Sequence, residues 1–462
     1  MRKLKDTALH FVGIGGIGMS GIAEVFHHYG CRVSGSDVKD SATVERLRAL
    51  GIRIAVGHAA ENIEGAHVVV YSSAVAKNNI EVEAAQSKGI PAIPRAEMLG
   101  ELMRSKVGIA VAGSHGKTTT TSILASILSK SKLDPTVVIG GVVNALGTNA
   151  KLGEGPVVLV EADESDGSFL HLPAQLCVVT NIDNDHLDHY GSIESIDQSF
   201  GHFVSKIPFF GRAIVCLDDV GVRRCLKRFK KPYLTYGFSK DARLRVTDVE
   251  DGKEHTHFSV DLDGVSLGTF KISSLGRHNI LNAVASIGVA LELEIPVSDI
   301  VEGLKEYQGV KRRFEKRFED TKRQLMVIDD YGHHPTEIRA TLHAARKAWS
   351  GRIVCVFQPH RYSRTVHCMD GFLRAFEDAD VVYISDIYAA GEAPLPGVSA
   401  ETLVSAIQTS IGNEDRIVEH VGSLDDGASR LASKMQEGDL WVCMGAGSIT
   451  QLPDLLVKAW ST

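Results

Sequence analysis

A short glycine-rich stretch with one lysine and a run of hydroxyls is the part of this sequence best suited to chemistry. It reads Gly-Ser-His-Gly-Lys-Thr-Thr-Thr from residue 113, between the apolar run 108–112 and apolar residues at helical spacing. A strand, a glycine turn and a helix N-terminus in this order are typical of a phosphate-binding loop, where backbone N–H groups converge on the anion. In such a loop Lys117 neutralises phosphate oxygens and Thr118 can bind Mg²⁺. An ordinary turn is the alternative. Only two residues separate Gly113 from Gly116, fewer than in the usual loop, so we predict a shortened phosphate loop.

A second glycine turn lies near the N-terminus, where Gly-Ile-Gly-Gly-Ile-Gly begins at residue 13 after the predicted strand 8–12. A predicted helix follows, and Asp37 lies about 20 residues past the last glycine, the distance at which an acid reaches a ribose hydroxyl in dinucleotide folds. The strand, the helix and the acid together favour a nucleotide-diphosphate site over a purely structural turn. Whether the ligand is a dinucleotide or a UDP- or ADP-like group stays open.

Acidic residues follow two more predicted strands. Glu-Ala-Asp-Glu-Ser-Asp begins at Glu161 after the strand 156–160, and a loop rich in Asp, Asn and His follows the strand 176–180. Carboxylates at the ends of buried parallel strands can hold Mg²⁺ beside a phosphate loop, although a solvated acidic loop is the alternative. His186, in the second of these loops, would be a minority ligand because Mg²⁺ prefers oxygen.

The predicted elements divide the chain into three α/β domains, which 462 residues can form. Strands and helices alternate to about residue 104, and the phosphate-loop strand begins a second domain. From 233 to 274, alternating runs with Asp-Gly turns predict a small antiparallel sheet. Predicted strands at 325–330, 353–357, 381–384 and 440–444 complete a third domain with a parallel sheet. We place the boundaries at 1–106, 107–310 and 311–462.

Polar residues in the second half of the chain could meet other parts of a nucleotide. Asn279 and Asn282 are three apart on a predicted helix and share one face, so both could meet an adenine edge or ribose; alternatively, Asn279 only caps the helix. Arg313 belongs to the basic run 311–317, which is either a solvated face or the source of a phosphate clamp.

A further group of polar residues follows two predicted strands of the last domain, at the edge where such sheets bind ligands. These residues are Tyr331, His333, His360, Arg361 and Arg364. Each alone could be structural, but two arginines three apart beside a histidine favour an anion clamp.

Composition narrows the function classes. The chain has 50 basic and 57 acidic residues, a net charge of −7, and no basic footprint for nucleic acid. Its seven cysteines form no C-x-x-C pair, which favours buried free thiols in a reducing compartment. No apolar run is long enough to span a bilayer. We therefore expect a cytoplasmic protein without membrane or nucleic-acid partners, either a monomer or a homodimer.

Together these motifs closely resemble those of the bacterial Mur ligase family, and the resemblance covers essentially the whole chain. The stretches that carry it begin at residues 13, 113, 161, 278, 329 and 360 and read GIGGIGMSG, GSHGKTT, EADESD, HNILN, DDYGHHP and HRYSR. The shortened phosphate loop is the normal form in this family.

The resemblance implies an α/β fold of three domains: an N-terminal Rossmann-like UDP-sugar-binding domain, a central P-loop ATP-binding domain and a C-terminal Rossmann-like amino-acid-binding domain. It also implies a reaction of peptidoglycan precursor biosynthesis. The γ-phosphate of ATP would pass to the lactyl carboxylate of UDP-N-acetylmuramate, and the amine of L-alanine would attack the resulting acyl phosphate. The cofactors would be ATP and Mg²⁺, with Mn²⁺ as an alternative ion.

The resemblance assigns residues to each site by motif match. UDP-sugar contacts would come from Gly15, Gly16, Ile17, Gly18, Asp37, Ser72 and Ser73. ATP contacts would come from Gly113, Ser114, His115, Gly116, Lys117, Thr118, Thr119, His278, Asn279, Asn282, Arg313 and Asp330. Metal ligands would be Thr118, Glu161 and His186, so the family pattern favours the histidine. The amino acid would meet Tyr331, His360, Arg361 and Arg364, and the catalytic residues would be Lys117, His333, Arg361 and Arg364. A carbamylated lysine, known in sister ligases, has no place that we can assign.

Three other functions compete with this one. A recycling ligase of the same family attaches a preformed murein peptide to the same acid; the Gly-Ile-Gly-Met stretch and the HRYSR stretch favour the alanine reaction. An NAD(P)-dependent oxidoreductase would use the first glycine turn but leaves the phosphate loop without a role. A nucleotide-binding regulatory protein would bind ATP and form no amide.

Overall fold

The computed structural model describes residues 6–72, 74–76, 78–104, 106–140, 150–252, 255–411 and 416–460. These residues form an α/β protein with three sheets. The chain separates into two compact units, one of residues 1–249, 258–272 and 281–308 and the other of residues 250–257, 273–280 and 309–462. Among the described helices, none is both long enough and apolar enough to cross a membrane.

The first sheet is parallel and carries the N-terminal glycine turn. Its strands are β1 (Ala8–Val12), β2 (Arg32–Asp37), β3 (Arg53–Val56), β4 (Val68–Tyr71) and β5 (Ala92–Pro94), and its helices are α1 (Ile17–His28), α2 (Ala42–Ala49), α3 (Ile80–Ser87) and α4 (Arg95–Arg104). The order is β3-β2-β1-β4-β5, so the fully buried β1 is central. β1 lies where the sequence predicts a strand, and the strands and helices alternate as expected to about residue 104.

The second sheet carries the phosphate loop. Its strands are β6 (Val107–Ala112), β7 (Thr136–Val138), β8 (Ala150–Lys151), β9 (Val157–Glu161), β10 (Leu176–Val179), β11 (Arg212–Cys216), β12 (Tyr233–Gly237), β13 (Leu244–Asp251), β14 (Thr256–Leu262) and β15 (Val265–Ile272). The helices in and after it are α5 (Lys117–Lys130), α6 (Leu187–Tyr190), α7 (Ile193–Ser205), α8 (Val220–Cys225), α9 (Arg277–Glu292) and α10 (Val297–Lys305). The order is β15-β14-β13-β12-β11-β10-β6-β9-β7-β8.

The strands expected between 233 and 274 are formed, but they do not make a separate sheet. β12 pairs in parallel with β11 and with β13, so the run continues the main sheet to its edge. The Asp263–Gly264 turn between β14 and β15 forms as expected, with φ of 50° and 83° at its two residues. Residue alternation revealed the strands but not the direction of their neighbours.

The third sheet belongs to the second unit. Its strands are β16 (Glu315–Asp320), β17 (Leu325–Asp330), β18 (Ile353–Phe357), β19 (Val381–Ser385), β20 (Ile417–Gly422) and β21 (Leu440–Met444), and its helices are α11 (Pro335–Ala348), α12 (Tyr362–His367), α13 (Met369–Phe372), α14 (Ala400–Ile411), α15 (Leu424–Ala432) and α16 (Leu452–Trp460). The order is β16-β17-β21-β18-β19-β20, and among the described strands of this sheet only β16, on the edge, pairs antiparallel with its neighbour. The sequence analysis missed the two edge strands, β16 and β20.

Helix α10 supports the phosphate-loop helix α5 at a close crossing. Gly303 lies at the contact, where an added Cβ would stand 2.4 Å from the Cα of Ile127. The Ser126 hydroxyl donates to the Gly303 carbonyl at 2.7 Å. The atoms nearest to the added Cβ are backbone atoms of Ile127 and Ser126. Backbone atoms cannot move aside as the end of a flexible side chain would.

We predict that Gly303→Ala lowers the free energy of unfolding by about 2 kcal/mol, the usual scale of overpacking in a tight core. Urea unfolding measures the effect. The control is Glu302→Ala, which truncates the exposed neighbour on the same helix. An unchanged stability in Gly303→Ala would contradict the close crossing.

Candidate active site

Three adjacent parallel strands bring the predicted loops to one edge of the second sheet. Val179 of β10 pairs with Ala112 of β6, and Glu161 of β9 pairs with Val111 of β6. The phosphate loop therefore begins between Glu161 on one side and the loop after β10 on the other. Ligands in such sheets bind beyond the carboxyl ends of the strands.

The phosphate loop depends on its glycines. Gly113 has φ of 134° and Gly116, at the N-terminus of α5, has φ of 81°. A Cβ on Gly113 would stand 2.0 Å from the Thr180 hydroxyl oxygen, and one on Gly116 would stand 2.6 Å from Oδ1 of Asn282. Both positions therefore exclude a side chain on conformational and steric grounds.

The loop after β10 fixes the middle of the phosphate loop. The His115 N–H donates to Oδ1 of Asn181 at 2.7 Å, and the Asn181 amide returns a hydrogen bond to the His115 carbonyl at 2.9 Å. The His115 ring lies 3.0 Å from Oδ2 of Asp183. The sequence analysis did not single out Asn181, because one asparagine among many donors carries no signal of its own.

Lys117 forms a buried ion pair with Glu164. Its Nζ lies 2.7 and 2.8 Å from the two carboxylate oxygens and also donates to the Gly113 carbonyl at 2.8 Å. Burial alone would lower the pKa of Lys117, but Glu164, Asp163 and Glu161 raise it above its usual value. Burial raises the pKa of Glu164 to about 7, against the opposing attraction of Lys117. The lysine therefore stays charged in the loop.

The predicted metal ligands lie on both sides of Lys117. Thr118 donates its hydroxyl to Oε1 of Glu161 at 3.0 Å. His186 adopts a left-handed backbone, with φ of 58°, and its Nε2 lies 3.7 Å from Oε1 of Glu164 and 3.5 Å from Oδ2 of Asp185. The Thr118 hydroxyl and the Glu161 carboxylate are hard oxygen donors of the kind that Mg²⁺ binds, so this part of the site fits the ion.

Asn282 and Asn279 have different surroundings. Asn282 is buried behind the phosphate loop, where its Oδ1 accepts from the Thr120 hydroxyl at 3.1 Å. Asn279 donates its amide to the Leu275 carbonyl at 2.8 Å. Helix α9 begins at Arg277, so Asn279 lies inside its first turn and does not cap it.

The first glycine turn is held by β2. The Gly15 N–H donates to Oδ2 of Asp37 at 2.8 Å, so this acid contacts the turn directly. Gly16 and Gly18 lie at the start of α1, and Ser72 follows β4. Ser73 lies outside the described residues, as does the side chain of Ile17.

Arg95 lies against the same turn and was missed by the sequence analysis. A guanidinium nitrogen of Arg95 would be 2.6 Å from a Cβ on Gly18, and its Nη2 lies 3.7 Å from Oδ2 of Asp163. Arg95 therefore reaches from the glycine turn to the acidic stretch after β9. No local pattern marks it, since it is far from both partners in sequence.

In the second unit, Asp330 and Arg313 lie at the carboxyl end of β17. Asp330 accepts from the N–H groups of Phe314 and Gly332 at 2.8 Å each, and burial raises its pKa to about 6. Arg313 lies 5.1 Å from the centre of the Tyr331 ring and 3.4 Å from Oε1 of Glu337. Burial and Arg313 lower the pKa of His278 to about 4.

A row of rings connects the other predicted residues of this unit. The His333 ring lies 5.3 Å from Tyr331 and 5.7 Å from His360, and His360 stacks on Tyr388 at 5.6 Å. Burial, with Arg364 and Arg361 nearby, lowers the pKa of His360 to about 4. Tyr388 follows β19 in an irregular loop and was not predicted.

Arg361 stands beside this row in a strained conformation. Its φ is 69°, and its Nη1 lies 3.8 Å from Oε1 of Glu392. The same carboxylate accepts from the Ser363 hydroxyl at 2.6 Å and from the Ser363 N–H at 3.0 Å. Arg364 lies in α12, and both arginines oppose the charged form of His360. Backbone strain of this kind is concentrated at functional sites.

The fold and the site define an α/β nucleotide-binding protein with a shortened phosphate loop and a separate glycine turn. Three family models match successive parts of the chain: "Mur ligase family, catalytic domain" over residues 8–107, "Mur ligase middle domain" over 111–290 and "Mur ligase, glutamate ligase domain" over 312–447. The chain belongs to the Mur ligase family.

Individual relatives agree with this assignment. The chain is 51% identical to a UDP-N-acetylmuramate–L-alanine ligase of Trichlorobacter lovleyi over 97% of this chain and 98% of the relative. It is similar to the crystal structure of a UDP-N-acetylmuramate–alanine ligase of Thermotoga maritima, with a TM-score of 0.81, 28% identity and 99% coverage of each chain. A murein peptide ligase of Psychrobacter arcticus shares the fold, with a TM-score of 0.70, 24% identity and 98% coverage of each.

The pKa values of His278 and His360 predict that acid reduces what these two residues contribute to stability, while the raised pKa values of Glu164 and Asp330 act in the opposite direction. Both histidines have a pKa near 4 when folded, below the usual 6.5, so the unfolded chain binds more protons between these values. Their contribution to stability is complete above pH 6.5 and is lost as the pH falls toward 4. For the partly buried His278 the loss is at most about 1.4 kcal/mol per pH unit.

Urea unfolding at pH 7 and pH 5 tests this sign. We expect His278→Gln to make the slope of the unfolding free energy against pH less positive than in the wild type, whereas His343→Gln, which changes an exposed histidine of α11, leaves the slope unchanged. An equal slope in His278→Gln and the wild type would contradict the lowered pKa of His278 in the folded protein.

Proposed function

We propose that this chain joins L-alanine to the lactyl carboxylate of UDP-N-acetylmuramate with conversion of ATP to ADP and phosphate, in peptidoglycan precursor biosynthesis. The observation that carries the proposal is Lys117, held charged by Glu164 in a shortened phosphate loop. The substrates are inferred from the 51% identity to the Trichlorobacter lovleyi ligase over nearly the full length. The proposed functional domains are 1–106, 107–310 and 311–462, and the proposed compartment is the cytoplasm.

The phosphate loop would bind the triphosphate of ATP. Backbone N–H groups at the start of α5 and the Lys117 ammonium attract phosphate oxygens. Thr118 and Glu161, with His186, would hold Mg²⁺, which would neutralise charge on the phosphates. Asn282 would act from behind the loop through Thr120, while His278, Asn279, Arg313 and Asp330 are the proposed contacts to the rest of the nucleotide.

The first domain would bind the UDP-sugar at its glycine turn. The proposal is supported by Asp37, which accepts from the Gly15 N–H at this turn, and by Arg95, which lies close to Gly18. An arginine suits an anionic group of this substrate, either the diphosphate or the lactyl carboxylate. Its ion pair with Asp163 supports a role in aligning the sugar with the acidic stretch of the ATP site.

The reaction would proceed in two steps. A carboxylate oxygen of the sugar attacks the γ-phosphorus, the bond to the β-phosphate oxygen breaks, and ADP leaves. The neutral amine of L-alanine then attacks the acyl carbon, and the tetrahedral intermediate loses phosphate and a proton to give the amide. Phosphoryl transfer of this kind needs positioning and charge neutralisation more than covalent help, which is what Lys117 can supply.

The second unit would bind L-alanine. Arg361 and Arg364 are suited to its carboxylate or to the transferring phosphate, because guanidinium groups bind planar anions through paired hydrogen bonds. Tyr331 and His360 are proposed as neighbours of the amino acid. His333, between their rings, is the proposed catalytic histidine of this group.

A coupled assay of phosphate release with UDP-N-acetylmuramate, ATP and Mg²⁺ tests the proposal. We expect turnover with L-alanine to exceed turnover with L-Ala-γ-D-Glu-diaminopimelate, and Lys117→Ala to abolish turnover while UDP-sugar binding persists. Lys130→Ala, at the far end of α5, is the control.

Faster turnover on the tripeptide would indicate a recycling ligase. Tight NADH binding without UDP-sugar binding would indicate an oxidoreductase, and ATP binding without amide formation a regulatory protein.

Arg361→Ala should raise the KM for L-alanine by about tenfold or more, the scale of one lost charge-assisted hydrogen bond, with little change in the KM for ATP. Initial rates at varied L-alanine measure it, and Arg374→Ala, an exposed arginine nearby in sequence, is the control. An unchanged KM for alanine with weaker ATP binding would move Arg361 to the nucleotide.

A further inference from the structure

A buried carboxylate, Glu81, lies in the first domain and has no role in the reaction just described. It occupies the first turn of α3, and its side chain is fully buried. A carboxylate in such a position is costly unless hydrogen bonds and charges compensate it. Its partners therefore indicate what it is for.

Both carboxylate oxygens of Glu81 are engaged. Oε2 accepts from the Ser36 hydroxyl at 2.5 Å and lies 3.4 Å from Nδ1 of His58 and 3.5 Å from Nε2 of His10. Oε1 accepts from the Asn62 amide at 2.5 Å and from the Ala59 N–H at 3.2 Å. Burial alone would raise the pKa of Glu81, but the hydrogen bonds from His10, Ser36 and Asn62 lower it to about 2. Glu81 is thus an anion at neutral pH.

Ser36 connects Glu81 to the glycine turn. Its carbonyl accepts from the N–H groups of Gly13 at 2.8 Å and Ile14 at 3.0 Å, while its hydroxyl donates to Glu81. The next residue, Asp37, accepts from Gly15. The end of β2 therefore fixes three consecutive N–H groups of the turn, and Glu81 fixes the end of β2.

The segment after β3 is connected to the same carboxylate. Gly57 donates its N–H to the Asp37 carbonyl at 2.8 Å, and Asn62 donates to the Gly57 carbonyl at 3.2 Å as well as to Glu81. His58, between them, directs Nδ1 to the Ser36 hydroxyl at 3.0 Å and to Glu81. Nδ1 is therefore the ring nitrogen that this cluster engages, and the side chain of His58 is 19% exposed.

We propose that Glu81 is a positioning residue for the nucleotide-sugar site: it fixes the glycine turn through Ser36 and orients His58 so that Nε2 contacts the UDP-sugar. Both connected segments lie at the carboxyl edge of the first sheet, where ligands of such folds bind. A histidine held at one ring nitrogen presents the other in a defined tautomer and direction. The inference rests on the proposed function, because it assigns these residues to the UDP-sugar.

Steady-state kinetics of the full chain with UDP-N-acetylmuramate, ATP, Mg²⁺ and L-alanine test the proposal. We expect Glu81→Gln to raise the KM for UDP-N-acetylmuramate about tenfold, the scale of one lost charge-assisted hydrogen bond, with kcat and the KM for ATP within about twofold. Glu81→Asp, which keeps the charge, should recover part of the loss. Glu83→Gln, an exposed acid two residues along α3, is the matched control.

A second variant removes the proposed ligand contact of His58 and leaves the buried charge of Glu81 in place. His58→Asn keeps a polar group near the position of Nδ1 and removes Nε2, so titration with UDP-N-acetylmuramate should show weaker binding and an unchanged melting temperature. A KM for the UDP-sugar within twofold of the wild type in Glu81→Gln, or equal losses for both substrates, would overturn the proposal. If Glu81→Gln does not fold, wild-type binding by His58→Asn overturns it. Failure of the wild type to bind UDP-N-acetylmuramate would instead refute the proposed function.

Discussion

The site depends on a lysine that must remain charged while it is buried under the phosphate loop. Taking a lysine and a glutamate out of water costs several kcal/mol for each ion, and only close contact with further hydrogen bonds offsets that cost. Lys117 and Glu164 meet at 2.7 Å, and the Gly113 carbonyl accepts a third bond from the ammonium. In the proposed reaction, phosphate oxygens would compete with Glu164 for this lysine, so the pair both stabilises the empty loop and keeps the cation ready.

The position of this pair follows from strand order. β6 lies between β9 and β10, so the sheet itself sets Glu164, just past β9, and Asn181, just past β10, on either side of the loop. Gly303, which has no side chain, lets α10 approach α5 closely. A change in register or in the helix crossing would therefore move the lysine relative to its carboxylate without altering either residue.

Most of the framework could be predicted from sequence, because buried parallel strands are apolar runs and glycine turns have fixed spacing. The features that could not be predicted depend on contacts between residues that are far apart in the sequence. The alternation of residues in β12 predicts a strand, but it does not predict which strands pair with it in parallel, because a local pattern does not specify a pairing partner. Glu164 was one acid among several in a short stretch, and only tertiary burial distinguishes it. Arg95 meets Gly18 and Asp163 across the fold, which no spacing reveals.

Each glycine turn is fixed by a hydrogen bond from a backbone N–H to a side chain. That side chain is charged in the first turn and neutral in the second, and this difference suits different ligands. In the first, the Gly15 N–H donates to the carboxylate of Asp37; in the second, the His115 N–H donates to the neutral amide of Asn181. A carboxylate at the turn opposes the attraction of the helix N-terminus for phosphate, whereas an amide leaves it intact. In the proposed reaction, the second turn would therefore keep the attraction of its helix N-terminus for the triphosphate. The first needs a compensating cation beside it, and Arg95, packed on Gly18, is placed to supply one.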